Sequence, residues 1–364
     1  MNKIKKTLYV PLLVINALVV LGLWLTGFGG TLNPTTWPHL GVTGYAFPML
    51  LLLTLAFLAF WVFVKLRFVL VSIVGLLIAY QPVTLYCPIN ILTDTPEWDD
   101  KTLTLITFNT CEWGEGHAIT DEESKQHGAE NTVAYLLEKD ADIVCIQEGH
   151  QTEKTAELDK RYPYHDNIIP PNGAADIMIY SRFPIIRKEV LDLESKANSA
   201  GAFWLRVKGK ELIVLNCHLE TMGISMDERQ EFGQLVHGDK DSGRRSFSRS
   251  IFDKIRYAAQ VRAPQAEKVA QFARMHSQTP VIVCGDFNDI PQSYTHRTIA
   301  KELTDCYQAV GRGPGFTYRH SNFGIMARID NMLCSEQLTP VMCYVDNSVH
   351  TSDHYPIVAR IKMQ

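Results

Sequence analysis

Charged side chains are almost absent from the first quarter of this 364-residue chain. Between positions 7 and 86 only Lys65 and Arg67 carry charge. A core helix of a globular protein normally keeps one polar stripe, and this composition leaves none. Each apolar run is about as long as a helix that crosses roughly 30 Å of hydrocarbon. The sequence therefore predicts three transmembrane helices, at 8–28, 45–64 and 66–86.

The sparse positive charges set an orientation for these helices. Lysines precede the first run, Lys65 and Arg67 separate the second from the third, and 29–44 contains no Lys or Arg. Positive residues stay in the cytoplasm. We therefore expect an integral protein of the plasma or inner membrane with a cytoplasmic N-terminus and an extracytoplasmic C-terminal part. A cleaved signal peptide is not expected, because the first run is too long and no small-residue cleavage site follows it.

Motifs for soft metal ions are missing as well. The sequence contains no CxxC and no HExxH, so a zinc site is not expected. A Cys306–Cys343 disulfide is left open. A net charge of −4 gives no general attraction to nucleic acid. Four other cysteines lie in or beside apolar runs, where a free thiol acts as a small buried hydrophobe: Cys145, Cys217, Cys284 and Cys334.

The composition divides the chain into an anchor at 1–86, a linker at 87–101 and a catalytic domain at 102–364. Prolines, turn formers and acidic residues fill the linker, which reaches at most about 50 Å when extended. In the domain, short β-branched runs outnumber helical stretches, and several are neighbours in sequence. This pattern predicts a mixed-sheet α/β sandwich.

Apolar runs in the domain repeatedly end in polar side chains. The stretch "VIVCGDFN" at 281–288, for example, ends in two oxygen-bearing residues. Side chains at strand ends are held in fixed positions by the sheet. Carboxylate and amide oxygens favour Mg²⁺, Mn²⁺ or Ca²⁺ over zinc. A divalent cation beside histidines suits phosphate-ester hydrolysis. The residues at such ends are Asn109, Gln147, Glu148, Asn216, His218, Glu220, Asp286, Asn288, Asp330, Asp353 and His354.

The ordered set of motifs resembles the endonuclease/exonuclease/phosphatase superfamily. The motifs are "TFN", "IQE", "DIMIYSRFPI", "NCHLE", "GDFNDIP", "RIDNML" and "SDHYPI", and the resemblance covers 102–364. Deoxyribonucleases and neutral sphingomyelinases share this pattern. The resemblance implies a four-layer sandwich, in which two mixed β-sheets are flanked by helices, and a hydrolase that uses Mg²⁺ or Mn²⁺.

The resemblance also implies a metal site. Glu148 corresponds to the principal Mg²⁺ ligand, and Asn109 is its neighbour. Asp353 corresponds to a possible second metal ligand. The resemblance leaves open whether the site holds one metal ion or two.

Five further positions correspond to catalytic residues of the superfamily. Asp286 and Asn288 match the pair that positions water and contacts the phosphate. His354 matches the catalytic histidine, oriented by Asp330, and His218 matches the second histidine, which contacts phosphate or helps the leaving group. Whether Asp286 or His354 deprotonates water is left open.

These observations predict a membrane-anchored, metal-dependent phosphoesterase acting on a lipid headgroup or another small phosphoester at the bilayer. One alternative is a nuclease acting on extracytoplasmic DNA or RNA. Another is an inactive domain that binds a phosphorylated ligand or a protein, although every expected catalytic position is filled. The basic segment 240–262 is interpreted either as a solvated loop or as a flap that meets an anionic substrate.

Two smaller expectations concern asparagines. Asn16 is the strongly polar side chain inside the first apolar run. It either bonds to a neighbouring helix or is simply tolerated, and we favour the second. Asn331 occupies a position where the family pattern has an aromatic residue. We expect that change to alter packing rather than chemistry.

Overall fold

The computed structural model describes residues 2–90, 101–116, 118–119, 122–170, 176–195, 198–223, 244–320 and 325–364. Residues 91–100 of the predicted linker and the first residues of the basic segment therefore lie outside the described residues. The helices of the N-terminal part are α1 (Asn2–Phe28), α2 (Phe47–Val64), α3 (Val69–Ile78) and α4 (Tyr80–Tyr86).

Two of the N-terminal helices are long and apolar enough to cross a membrane, and the third predicted span is broken. Helices α3 and α4 meet at an angle of 67°, and together they make a third possible span. The break has a local cause. Pro82 has no backbone N–H to bond to the carbonyl of Ile78, so α3 cannot continue through it. The expectation of one continuous helix over 66–86 was wrong.

The anchor helices pack around a small apolar core of Leu23, Phe47, Leu51 and Ala79. Asn16 lies in the same bundle, fully buried, and its Oδ1 accepts a hydrogen bond from Ser72 Oγ at 3.2 Å. The expectation that Asn16 has no partner was wrong, because a buried polar group in an apolar bundle gains from a neighbouring helix.

The domain contains two six-stranded mixed sheets. The first has the order β13-β14-β1-β2-β4-β3 and the second β5-β6-β7-β8-β12-β9. Strands β10 and β11 form a separate two-stranded sheet. The strands are β1 (Thr102–Asn109), β2 (Ile143–Gly149), β3 (Tyr164–Ile168), β4 (Asp176–Ser181), β5 (Ile185–Leu191), β6 (Ser199–Val207), β7 (Lys210–His218), β8 (Val281–Asp286), β9 (Thr304–Asp305), β10 (Tyr318–His320), β11 (Ile325–Ala327), β12 (Asp330–Cys334), β13 (Leu338–Val345) and β14 (Ile357–Met363).

The two sheets face each other across one apolar core, and helices cover their outer faces. Residues of both sheets, such as Leu105 and Val214, share the central core. The helices of the domain are α5 (Glu122–Lys139), α6 (Ala156–Arg161), α7 (Arg244–Met275), α8 (Tyr294–Ile299) and α9 (Cys306–Val310). A second core joins the other face of the second sheet to α7, and a third joins the first sheet to α5. The predicted four-layer sandwich is confirmed.

The eight cysteines, all within the described part of the chain, are free. Cys306 lies nearest to another thiol at Cys334, with its Sγ 3.9 Å away. The Cys306–Cys343 disulfide that the sequence left open is not formed.

The domain docks directly on one end of the anchor. Arg297 donates to the carbonyl of Gly27 at 2.7 Å, and Gln292 donates to the carbonyl of Pro82 at 3.2 Å. The first residues of the predicted linker are also held, because Asn90 Nδ2 donates to the carbonyl of Gly311 at 2.7 Å. The first residues of the linker are therefore bound to the surface of the domain.

The basic link between α2 and α3 lies at the other end of the anchor. There the ring of Tyr9 packs edge-on against Trp61 at 6.3 Å and Phe68 at 6.5 Å between centroids. Lys65 and Arg67 adjoin these rings. The charged end and the domain end of the anchor are thus opposite.

Candidate active site

Strand pairing brings the polar strand ends of both sheets to one edge of the sandwich. β1 runs parallel to β2 with Asn109 beside Gln147, and β7 runs parallel to β8 with His218 beside Asp286. β12 runs antiparallel to β8 and begins at the same edge, with Asp330 beside Asp286. Parallel strands share the edge at which their carboxyl ends lie.

Contacts between these side chains join the two sheets. Asn109 Nδ2 donates to Glu148 Oε1 at 3.0 Å and to Asp286 Oδ2 at 3.1 Å. His218 Nε2 lies 3.5 Å from Glu148 Oε1 and 3.8 Å from Asp286 Oδ2. Residues separated by more than 100 positions therefore form one polar cluster.

His354 completes the cluster from the loop before β14. Its Nδ1 lies 2.8 Å from Asp330 Oδ2, and its Nε2 lies 3.8 Å from Asp286 Oδ2. Burial alone would lower the pKa of His354, but the charges of Asp330 and Asp286 outweigh burial and raise it well above its ordinary value. The imidazole is therefore held protonated and fixed in orientation.

Asp286 sits at the centre, nearly fully buried. Burial and the charge of Asp330 raise its pKa to about 6, against the opposing charges of His354 and His218. Its Oδ1 accepts the backbone N–H of Asn288 at 2.8 Å. Burial and the neighbouring Asp330 both disfavour the charged form of this carboxyl, and a bound cation would offset both effects.

Backbone strain is concentrated around the cluster. Glu148 and Asn288 both have φ of 52°, in the left-handed region, and Cys111 has φ of 48°. Such conformations cost of order 1–3 kcal/mol each and persist where the surroundings fix them. Gly285 has φ of 123°, and a Cβ there would lie 2.0 Å from the carbonyl oxygen of Cys217. Only glycine therefore fits at position 285, the first residue of "GDFN".

The donor set fits a hard divalent cation. Carboxylate oxygens of Asp286 and Asp330 lie within 4.8 Å of each other and of His354, whose protonated ring is not itself a ligand. Asp330 Oδ1 is buried without a hydrogen-bond partner among the described residues. Carboxylate oxygens beside an amide suit Mg²⁺ or Mn²⁺. Glu148 and Asp353 lie outside this group of three but line the cavity in front of it.

That cavity has a volume of about 610 Å³. Its floor contains Glu148, Asp286 and His354. The same cavity is also lined by residues of the N-terminal helical part, Tyr45 and Tyr86. The site therefore lies where the domain meets the N-terminal helices.

Some strand-end residues do not reach the cavity. Gln147 Nε2 donates to Asn216 Oδ1 at 2.6 Å between the sheets, where both are fully buried. Glu220 accepts a bond from Ser195 at 2.8 Å. Asn331 is buried and donates to the carbonyl of Ile329. These polar side chains bond to one another or to the backbone, although Gln147 Oε1 is buried without a hydrogen-bond partner among the described residues.

The structure adds residues that were not predicted. Ser352 Oγ donates to the carbonyl of Asn109 at 2.8 Å and accepts the backbone N–H of His354 at 3.1 Å. The ring of Tyr318 packs edge-on against His354, 5.1 Å between centroids. A serine two residues before a histidine is typical of a side-chain turn, so "SDH" carried a signal for Ser352. Nothing local in the sequence marked Tyr318.

The fold is shared with several solved structures. Humanized D. rerio TDP2 is 15% identical with a TM-score of 0.51, and the match covers 72% of this chain and 100% of that chain. The human Nocturnin catalytic domain with bound sulfate is 16% identical with a TM-score of 0.52, covering 74% and 97%. ANGEL2, a 2′,3′-cyclic phosphatase in complex with adenosine-2′,3′-vanadate, is 13% identical with a TM-score of 0.52, covering 73% and 97%.

Two family models match the sequence, and no curated protein does. Residues 5–86 match a domain of unknown function, DUF8431. Residues 111–354 match the Endonuclease/Exonuclease/phosphatase family, which is more than half of the chain and includes the whole polar cluster except Asn109. This chain therefore belongs to the endonuclease/exonuclease/phosphatase family.

Proposed function

We propose that the protein is a membrane-anchored phosphoester hydrolase that depends on Mg²⁺ or Mn²⁺. The observation that carries the proposal is one contact cluster of carboxylates, an amide and two histidines from both sheets, of which Glu148, Asp286 and His354 line one cavity. Family membership supports hydrolysis of a phosphoester bond. The filled catalytic positions argue against a domain that only binds ligand.

The cation would be held by Glu148 and its neighbour Asn109, with Asp353 as a possible ligand of a second ion. When bound, the ion supplies charge that neutralises the phosphoryl oxygens and the leaving oxygen. Glu148 suits the first role because its side chain is about 30% exposed toward the cavity. Asn109 holds the Glu148 carboxylate in place through its 3.0 Å hydrogen bond.

The remaining residues orient water and stabilise developing charge. Asp286 and Asn288 hold the water that attacks phosphorus. As the new P–O bond forms, the Asp286 carboxylate takes the proton that the water loses, and the ester P–O bond breaks. His354, kept protonated by Asp330, stabilises negative charge on the phosphoryl oxygens. His218 contacts the phosphate or gives the leaving oxygen a proton.

The membrane arrangement is also proposed. The anchor at 1–86 crosses three times, counting α3 and α4 as one span, and the catalytic domain at 102–364 lies outside the cytoplasm. The opposite placement of Lys65 and Arg67 relative to the docked domain supports this orientation through the distribution of positive charge. The remaining linker within 87–101 keeps the domain at the bilayer.

A small phosphoester near the membrane is the proposed substrate, ahead of DNA or RNA. Long duplexes are bound through many exposed cations. In the described part of the segment 240–262, the cations are engaged: Arg262 with Asp289 at 3.2 Å, and Arg256 with Asp253 at 2.8 Å. The side chains of Arg244, Arg245 and Arg249 lie outside the described residues.

Hydrolysis of a chromogenic phosphodiester by the purified full-length protein tests the proposal. Activity should require Mg²⁺ or Mn²⁺ and disappear with EDTA. Glu148→Gln removes a charged ligand with little change of shape and should lower turnover by at least about 100-fold. Glu153→Gln, at an exposed site away from the cavity, is the matched control. Metal-independent turnover, or near-normal turnover by Glu148→Gln, would contradict the assignment.

A further inference from the structure

One part of the wall of the active-site cavity comes from the proposed membrane anchor. Tyr45 and Pro48 lie at the start of α2, and Tyr86 is the last residue of α4. All three line the same 610 Å³ cavity as Glu148 and His354. An anchor that only tethered a hydrolase would have no reason to form part of its cavity.

Much of the remaining lining is apolar. Most of its apolar side chains are half-buried or exposed, with Met326 57% exposed, whereas Ile251 is buried. A pocket of this kind, with a few polar groups at one end, suits a ligand with an apolar body and one charged head. The apolar lining residues include Ile251, Ile255, Ile290, Phe316 and Met326.

Specific contacts hold the anchor wall in position. Tyr45 Oη donates to Asp289 Oδ1 at 2.8 Å, and Asp289 directly follows Asn288 of the polar cluster. Asp289 Oδ2 in turn accepts from the fully buried Arg262 at 3.2 Å. The ring of Tyr86 packs edge-on against Phe316, 6.5 Å between centroids. The two walls therefore belong to one packed unit.

The cavity wall continues into the lipid-facing surface of the anchor. Along α2, immediately after Pro48, Met49 is 59% exposed and Leu52 is 68% exposed. In a membrane these side chains contact acyl chains. One helix thus leads without a polar interruption from the cavity to the bilayer.

We propose that the anchor is part of the substrate-binding site, and that the substrate is a phosphoester of a membrane lipid. Its phosphate lies on the polar cluster, and its apolar chain runs past Ile255 and Phe316 to Tyr86 and Pro48, and from there into the bilayer. This inference rests on the proposed hydrolase function. It adds the substrate class and assigns substrate selection to residues of the anchor.

A series of p-nitrophenyl alkyl phosphodiesters, from methyl to dodecyl, tests the inference with the full-length protein in nanodiscs. Each buried methylene should raise kcat/KM by roughly two- to four-fold until the cavity is filled. Ile255→Asn and Tyr86→Ala should flatten this dependence on chain length. Ile186→Asn, at a 45% exposed isoleucine on β5 outside the cavity, should leave the dependence as in the wild type. Melting curves show whether each variant is folded.

The outcomes separate the two proposals. If no ester of the series is cleaved with metal present, the hydrolase function fails. If it is cleaved but chain length has no effect, or an oligonucleotide is cleaved faster than the dodecyl ester, the lipid inference fails and the hydrolase function stands. As a second readout, a phospholipid with a photoreactive acyl chain should label peptides that contain Pro48 and Ile255. Labelling confined to the outer turns of α2 would also overturn the inference.

Discussion

Replacement of Gly30 by alanine should force the catalytic domain away from the anchor. A Cβ at this buried position would lie 1.8 Å from the carbonyl oxygen of Gln292 and 2.8 Å from the carbonyl carbon of Ser293. Ordinary contacts begin near 3.4 Å, so the interface must open by roughly 1.5 Å, because both neighbours are backbone atoms that cannot rotate aside.

The size of the effect follows from this overpacking. Forcing a methyl group into a closed contact costs about 1–3 kcal/mol. An opening of that size would also break the 2.7 Å hydrogen bond from Arg297 to Gly27. We expect the melting temperature of the full-length protein in detergent to fall by about 2–6 °C. Amide exchange over 292–297 should become faster.

Gly22→Ala is the matched control on α1. Its added Cβ would meet only the flexible Leu50 side chain, at 3.2 Å, and should change neither the melting temperature nor the amide exchange at 292–297 appreciably. If Gly30→Ala behaved like Gly22→Ala, the docking of the domain on the anchor would be refuted.

Two further substitutions test the domain itself. Gly285→Ala places a Cβ 2.0 Å from the Cys217 carbonyl oxygen, at a residue whose φ is 123°. The variant should therefore melt several degrees lower and lose turnover. Unchanged melting by circular dichroism and unchanged turnover in the phosphodiester assay would show that alanine is tolerated. Asp305→Asn tests a buried charge. Burial alone would raise the pKa of Asp305, but the hydrogen bond with His296 and the charge of Arg328 lower this pKa from 3.8 to about 2. This depressed pKa stabilises the fold by about 2 kcal/mol above pH 4, and the gain is lost as pH falls through 2. The difference in melting temperature between wild type and variant should therefore narrow from pH 5 to pH 2, and a constant difference would contradict the assignment.

The local parts of the fold and site were predictable because they depend on short patterns. Apolar runs that stop at oxygen-bearing residues, as at 281–288, identify strands and their carboxyl ends, and the order of motifs identified the family. Several such ends converge because β1–β2 and β7–β8 run parallel. The excess of strands over helices, with several strands adjacent in sequence, likewise predicted the sandwich.

Contacts between distant residues could not be read from the sequence. Asn16 meets Ser72 across 56 positions, and Tyr45 meets Asp289 across 244. Both depend on how whole elements pack, not on neighbouring residues. The break at Pro82 was the exception, because proline inside an apolar run carries a local signal that the length of the run concealed.

The most direct test of the central claim pairs a Mn²⁺ titration, followed by electron paramagnetic resonance, with turnover of the phosphodiester. We expect wild type to bind Mn²⁺ and hydrolyse, Glu148→Gln to lose both, and His354→Ala to keep Mn²⁺ affinity while losing turnover by orders of magnitude. A wild-type protein that hydrolyses without binding Mn²⁺, or a His354→Ala variant with near-normal turnover, would contradict the claim that this strand-end cluster is a metal-dependent phosphoesterase centre.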